Sequence, residues 1–273
     1  MTSGKFSIHG DFLEHQGRKL FYILLEPVFT EAHSSILYLP PFADEMNKSR
    51  HIVANQAREL VAAGYRVMLL DLTGCGDAGG DFFDASWQVW LQDARFAAEA
   101  LADRGKQPVS LWGLRLGALL ACELSQGRSD ISKLVLWQPV LNGEQQVDQF
   151  LRLRTAASAV SDAITFDRKW LWNELRSGRS LMIAGYELSS TLALELARVR
   201  LNDLVPSCPV HWLEIGASPA GNHSAASENV REHWREQGVS VDTAFAQGDP
   251  FWRTIDAPDN PQLYANTLSL FTQ

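Results

Sequence analysis

Cysteine is scarce in this 273-residue chain. The three present, Cys75, Cys122 and Cys208, stand far apart and are odd in number. Neither the paired spacing of a metal site nor the framework of a disulfide scaffold is there, so a reducing, cytoplasmic setting is expected. Long apolar runs are missing too. Nothing approaches the roughly 18 residues needed to span a bilayer. The opening MTSGKFSIHGDFLEHQ lacks the apolar centre of a secretory signal. Positive charge is in deficit: 24 Lys and Arg against 32 Asp and Glu leave a net charge of −8. With no basic stripe, a nucleic-acid partner is not expected. Arg152 and Arg154, and Arg198 and Arg200, sit at helix-like spacing and read as solvated helix faces. There is no internal repeat and no low-complexity segment. What remains, 46% apolar and 21% charged, is the composition of a globular protein, one large domain or one with an insertion, and no residue cluster asks for a metal or cofactor.

What is present is an alternation of strands and helices. A hairpin is expected over Lys5 to Ile8 and Leu20 to Leu25, turning near Gln16-Gly17. SSILYLPPF is an apolar run of strand length. Ser49 to Ala63 reads as a helix closed by Gly64, with Asn47 or Ser49 as its cap. YRVMLLDL is a continuously apolar strand, the kind buried on both faces of a parallel sheet. The glycine-rich TGCGDAGGDFF follows. Ser86 to Arg104 places Trp90, Ala94, Ala97, Ala98 and Leu101 on one side of a helix. A strand at Val109 to Trp112, a helix to about Ser125 and the strand ISKLVLWQP continue the pattern. It then breaks: from about Val140 to Ala197 only helices are expected, around Glu144–Val160, Asp167–Arg176 and Ser189–Ala197. It resumes with CPVHWLEIG, a helix near Ser224 to Gln237, VSVDTAFAQG and a last helix near Gln262 to Phe271. Such alternation implies βαβ units and a parallel sheet, with residues 1–139 and 198–273 as the core and 140–197 as a helical cap.

One stretch concentrates the functional question. SLWGLRLGALLA has the strand, glycine-bracketed turn and helix of the nucleophile elbow Gly-x-Ser-x-Gly. Its middle residue is Arg115, between Gly113 and Gly117. A guanidinium is always charged and offers no lone pair for attack.

The elbow, the insertion and DLTGCGDAGG, which resembles an Asp-x-x-Gly-x-Gly-x-Ser turn, together resemble the α/β-hydrolases over nearly the full length. The fold class implied is α/β: a mostly parallel central sheet flanked by helices, with a helical cap insertion. More narrowly, PPFADEMNKSR, GLRLGALLA, LVLWQPVLNGE, AGYELS and GDPFW resemble the exosortase A system-associated hydrolases of type 2. That resemblance implies a link to exopolysaccharide production and surface-protein sorting.

In this fold the catalytic order is nucleophile, acid, histidine. Arg115 holds the first position. The loop ASPAGNHSAASEN carries no carboxylate before Glu228, though Glu144 is available after the preceding strand. No histidine lies beyond His233. The loop after the first central strand reads Pro40-Pro41-Phe42, and Pro41 has no N–H to donate; the Phe42 and Leu116 amides remain as candidate oxyanion donors. Glu45, Asn47 and Arg50 follow that strand, on the edge where open α/β sheets collect ligands.

Arg115 beside the start of a helix suits a carboxylate or phosphate. Equally it suits an internal ion pair with Glu45 or Asp81. Cys75 would need a positive neighbour to become a nucleophile; otherwise it packs. His51 has a route to the site, whereas His211 lies in an apolar strand. Phe251, Trp252 and Tyr186 would wall a pocket. Two functions stay open. One is an ester- or acyl-type hydrolase with Arg115 stabilising an anion and Glu45 or Glu144 as base. The other is a pseudo-enzyme that binds a small anionic or acyl ligand or serves as a scaffold.

Overall fold

The computed structural model describes residues 6–160, 167–218 and 224–272. The hairpin is there, longer than the pattern suggested: β1 (Phe6–His15) pairs antiparallel with β2 (Arg18–Pro27). Its turn residues Gln16 and Gly17 both take positive φ, 50° and 78°, as a two-residue hairpin loop requires. Then come β3 (Ser35–Leu39), α1 (Asp44–Ala62), β4 (Arg66–Leu70), α2 (Trp87–Gly105), β5 (Val109–Leu114), α3 (Leu116–Ser125) and β6 (Ile131–Trp137).

The chain next leaves the sheet for α4 (Gly143–Val160), α5 (Arg168–Arg176), the short strands β7 (Leu181–Ile183) and β8 (Tyr186–Leu188), and α6 (Ser190–Leu196). It returns with β9 (Val210–Gly216), α7 (Ala225–Glu236), β10 (Val241–Gln247) and α8 (Pro261–Thr272).

The eight-stranded sheet runs in the order β1-β2-β4-β3-β5-β6-β9-β10. From β4 to β10 every neighbouring pair is parallel. Only β2 runs against the rest, antiparallel to both its neighbours β1 and β4. Alternate strand residues feed two cores. On one face Leu111 and Trp212 pack with α2, α3 and the segment between β6 and β9. On the other, Trp112, Trp137 and Leu213 pack with α1 and α8. This is the α/β-hydrolase fold, as the resemblance implied, built on the parallel sheet that the alternation of elements implied.

Two expectations fail. Helix α1 begins at Asp44, five residues early, behind Ala43 with φ 50° and ψ −124° and no side-chain cap. Acidic Asp44 and Glu45 fill its first turn and favour the helix dipole instead. Asn47 and Ser49 therefore lie inside the helix and cap nothing; the Ser49 hydroxyl donates back to the Glu45 carbonyl at 2.6 Å. The region 140–197 is also not helical throughout. Ala184 and Gly185, both at positive φ, turn the β7–β8 hairpin. Strands of three residues are too short to show an alternating pattern.

Candidate functional site

Strand β5 ends in the core and α3 starts in the next residue but one, so the whole turn falls on Arg115, at φ 56° and ψ −113°. A non-glycine residue in such a conformation is strained by about 1–3 kcal/mol. The surroundings hold it there. Its N–H donates to the Trp137 carbonyl at 2.9 Å, and its own carbonyl accepts from Ala118 at 3.1 Å and Val140 at 3.3 Å. The flanking glycines allow the close approach. A Cβ on Gly113 would meet the Gly117 carbonyl oxygen at 2.5 Å, and one on Gly117 would meet the Leu39 carbonyl oxygen at 2.1 Å. Ala43, with nearly the same backbone angles, makes a second turn of this kind one strand away. Two helices thus start side by side at the carboxyl edge of the sheet.

The Arg115 side chain runs back under α1 and α4. Its Nη2 donates to Glu45 Oε1 at 3.4 Å, Gln146 Oε1 at 3.4 Å and Gln149 Oε1 at 3.3 Å. Its guanidinium lies 5.3 Å from the centre of the Trp252 ring, within cation–π range. The residue is 8% exposed. Burial raises the Glu45 carboxyl above its ordinary range, against the opposing charge of Arg115, hydrogen bonds from Arg115 and Gln146, and the more distant Arg253. Among the described residues, three buried polar atoms here find no hydrogen-bond partner: Arg115 Nε, Glu45 Oε2 and Trp252 Nε1.

Above this cluster opens a cavity of about 400 Å³. Phe42, Phe150 and Trp252 give it aromatic walls, and Glu45, Gln146 and Gln149 give it polar ones. Asp44, Lys48, Arg152, Leu153 and Arg253 complete the lining. The charges do not cancel. Lys48 pairs with Asp44 at 2.7 Å and Arg115 with Glu45. The side chains of Arg152 and Arg253 have no ion pair or hydrogen bond among the described residues. A chain that is acidic overall therefore carries a local positive excess at this opening.

Of the residues singled out from sequence, Arg115, Glu45, Phe42 and Trp252 come together here. Leu116 follows Arg115 as the buried first residue of α3. The others go elsewhere. Asn47 donates to the Tyr186 hydroxyl at 3.1 Å. Arg50 pairs with Asp71 at 3.3 Å and lines a different cavity. Glu144 is held at the surface between Arg168 and Arg200, each at 3.3 Å, and does not line the opening. Asp81 closes a capping box with Asp84, leaving Glu45 as the arginine's partner. The Cys75 thiol is pushed up to about 12 by burial and by Asp71 and Asp93, so it stays protonated at neutral pH. His51 Nε2 is hydrogen-bonded to the Ala257 carbonyl at 2.7 Å. His211 is buried in β9, and burial lowers its pKa. Of the loop after β9, residues 219–223 lie outside the described residues.

Sequence reasoning missed Gln146 and Gln149. Their signal was the spacing: 146, 149 and 150 share one face of α4, and Phe150 stands beside Phe42 with ring centres 5.1 Å apart.

Fold and elbow turn define an α/β-hydrolase, and solved structures agree. The chain is similar to Est1E from Butyrivibrio proteoclasticus, solved with ferulic acid bound, at 18% identity and a TM-score of 0.65, covering 96% of this chain and 97% of that one. It is similar to the α/β-hydrolase GrgF from Penicillium sp. sh18 at 13% identity and a TM-score of 0.64, covering 97% and 96%. A thioesterase domain from the curacin biosynthetic pathway matches at 18% identity and a TM-score of 0.56, covering 98% and 100%. No curated protein matches the sequence significantly. The family model "serine aminopeptidase, S33" matches residues 38–180, more than half of the chain. The chain belongs to this family of α/β-hydrolases.

Proposed function

We propose that this α/β-hydrolase binds a small anionic or acyl ligand over Arg115 and does not form an acyl-enzyme. The observation that carries the reading is the cluster itself. Among the described residues, buried polar atoms of Arg115, Glu45 and Trp252 stand without hydrogen-bond partners beneath a cavity lined by Arg152 and Arg253, whose only charged neighbours there act from beyond ion-pair distance, Asp148 on Arg152 and Glu45 on Arg253. An orphaned buried polar group costs about 1–3 kcal/mol, a cost that a polar ligand would relieve. Anionic groups on the ligand would meet these two arginines, and its apolar body would lie against Phe42, Phe150 and Trp252. Arg115 at the elbow supplies charge and hydrogen bonds where a serine would supply a nucleophile, and Trp252, in the loop after β10, lies over it where the catalytic histidine is expected.

A second reading rests on Glu45. A buried carboxyl with a raised pKa is the kind of group that serves as a general base on water. In that case an ester would be hydrolysed directly, with the Arg115 guanidinium stabilising the developing oxyanion. Glu144 has no part in either reading, because its carboxylate is taken by two arginines.

In this reading the segment from α4 to α6, with the β7–β8 hairpin between its helices, is a cap over the cavity. The cytoplasm suits a chain whose three cysteines are all unpaired. Among the described residues, no helix is long and apolar enough to cross a membrane. The link to exosortase and exopolysaccharide systems rests on the segments PPFADEMNKSR, GLRLGALLA and GDPFW.

Turnover of a panel of activated esters and thioesters separates the two readings. The binding reading expects no turnover above that of the heat-denatured protein. Turnover abolished in both Arg115→Ala and Glu45→Gln, with the fold intact, would establish the hydrolytic one instead.

A further inference from the structure

Helix α1 separates two cavities. Asp44, Glu45 and Lys48 face the one over Arg115. Met46, Arg50, Val53 and Ala54, spaced as one helical stripe, face another of about 190 Å³. Its far wall is the sheet: Ile23 of β2, Tyr38 of β3 and Leu69 of β4. The only charged groups lining it are Arg50 and Asp71, and they pair with each other. The Asp77 N–H also donates to Asp71 Oδ2, at 3.0 Å. Gly76 seats that rim tightly, since a Cβ there would lie 2.0 Å from Asp71 Oδ2. The mouth is therefore electrically balanced, unlike that of the cavity over Arg115.

Within the lining stands one hydroxyl that makes no hydrogen bond. Tyr38 is 5% exposed, and its hydroxyl has no hydrogen bond among the described residues. One side of its ring is taken by Trp112, with ring centres 4.6 Å apart. The ring is buried, but its hydroxyl oxygen still reaches the solvent of the cavity, where the charges of Arg50 and Asp71 act on it. An apolar cavity of about 150 Å³ takes up benzene, so this one has room for a ring and one polar substituent. A charged ligand would find no unmatched counter-charge.

We propose that this second cavity is a binding site for a neutral, ring-sized molecule carrying one hydroxyl or carbonyl oxygen, which the Tyr38 hydroxyl engages. The proposal is independent of the ligand over Arg115.

Phenol is the probe, titrated into the full chain carrying 13C-methyl methionine. The Met46 methyl signal should move saturably while that of Met182, exposed on the β7–β8 hairpin, stays fixed. Tyr38→Phe keeps the ring and its packing, and should weaken phenol roughly tenfold, the usual worth of one hydrogen bond. Toluene should bind wild type and Tyr38→Phe alike, benzoate should bind less well than phenol, and Arg152→Ala/Arg253→Ala should leave phenol affinity unchanged. An unmoved Met46 signal, equal phenol affinity in Tyr38→Phe, or a preference for benzoate would overturn the assignment.

Discussion

Glu45 and Arg115 are an ion pair in which burial outweighs attraction. The carboxyl is raised although a guanidinium stands beside it. A raised carboxyl means that the fold favours the protonated form. Its contribution to stability is complete below the ordinary carboxylate range and is lost as pH rises through the raised value. Gln at this position mimics the protonated acid. Glu45→Gln should therefore match wild type in denaturant midpoint below the ordinary carboxylate range, gain on it as pH rises through the raised value, and hold that gain above it. A loss of about 3 kcal/mol at every pH, the usual effect of removing one partner of a buried pair, would refute this account of the pair. Arg115 was legible in the sequence as the anomaly between two glycines, and so was Glu45 as one of its two candidate partners. The glutamines were not, because an amide partner comes from a helix some 30 residues away, with no local signature of the contact.

At the scale of elements, the site is made by two strand-to-helix turns that lie side by side. The turn at Arg115 works only because α3 packs against the end of β3 without an intervening side chain. Gly117→Ala would put a Cβ 2.1 Å from the Leu39 carbonyl oxygen. Backbone on both sides leaves nothing soft to yield, so the variant should lose at least ~3 kcal/mol, at the upper end of overpacking costs. Chemical denaturation checks this, and a variant within about 0.5 kcal/mol of wild type would mean that the turn is looser than it looks. The elements that sequence reasoning placed well are those with strong periodicity or caps: α2 behind Ser86, α7 behind Ser224, and the continuously apolar central strands. The start of α1 was missed because its first residue follows Ala43, which has no capping side chain. The β7–β8 hairpin was missed because its strands are shorter than the period that would reveal them. Its signal, Ala184-Gly185 between Leu-Met-Ile and Tyr-Glu-Leu, was present but faint.

At the scale of the whole molecule, an acidic chain of net charge −8 gathers more positive than negative side chains at one opening of its sheet edge. The fold was legible because alternating strands and helices leave few topologies. The chemistry was less so, because membership of a hydrolase family fixes the scaffold while the site decides the reaction. The central claim is that this opening binds an anion through Arg152 and Arg253 above the Arg115 cluster. The most direct measurement is calorimetric titration of phenyl phosphate into wild type and into the Arg152→Ala/Arg253→Ala variant, at low and physiological salt. The account predicts saturable binding to wild type, weakened at least tenfold in the variant and reduced by salt in wild type, as expected when exposed charges carry the affinity. Equal affinity in the two proteins, or no binding to wild type at low salt, would contradict it.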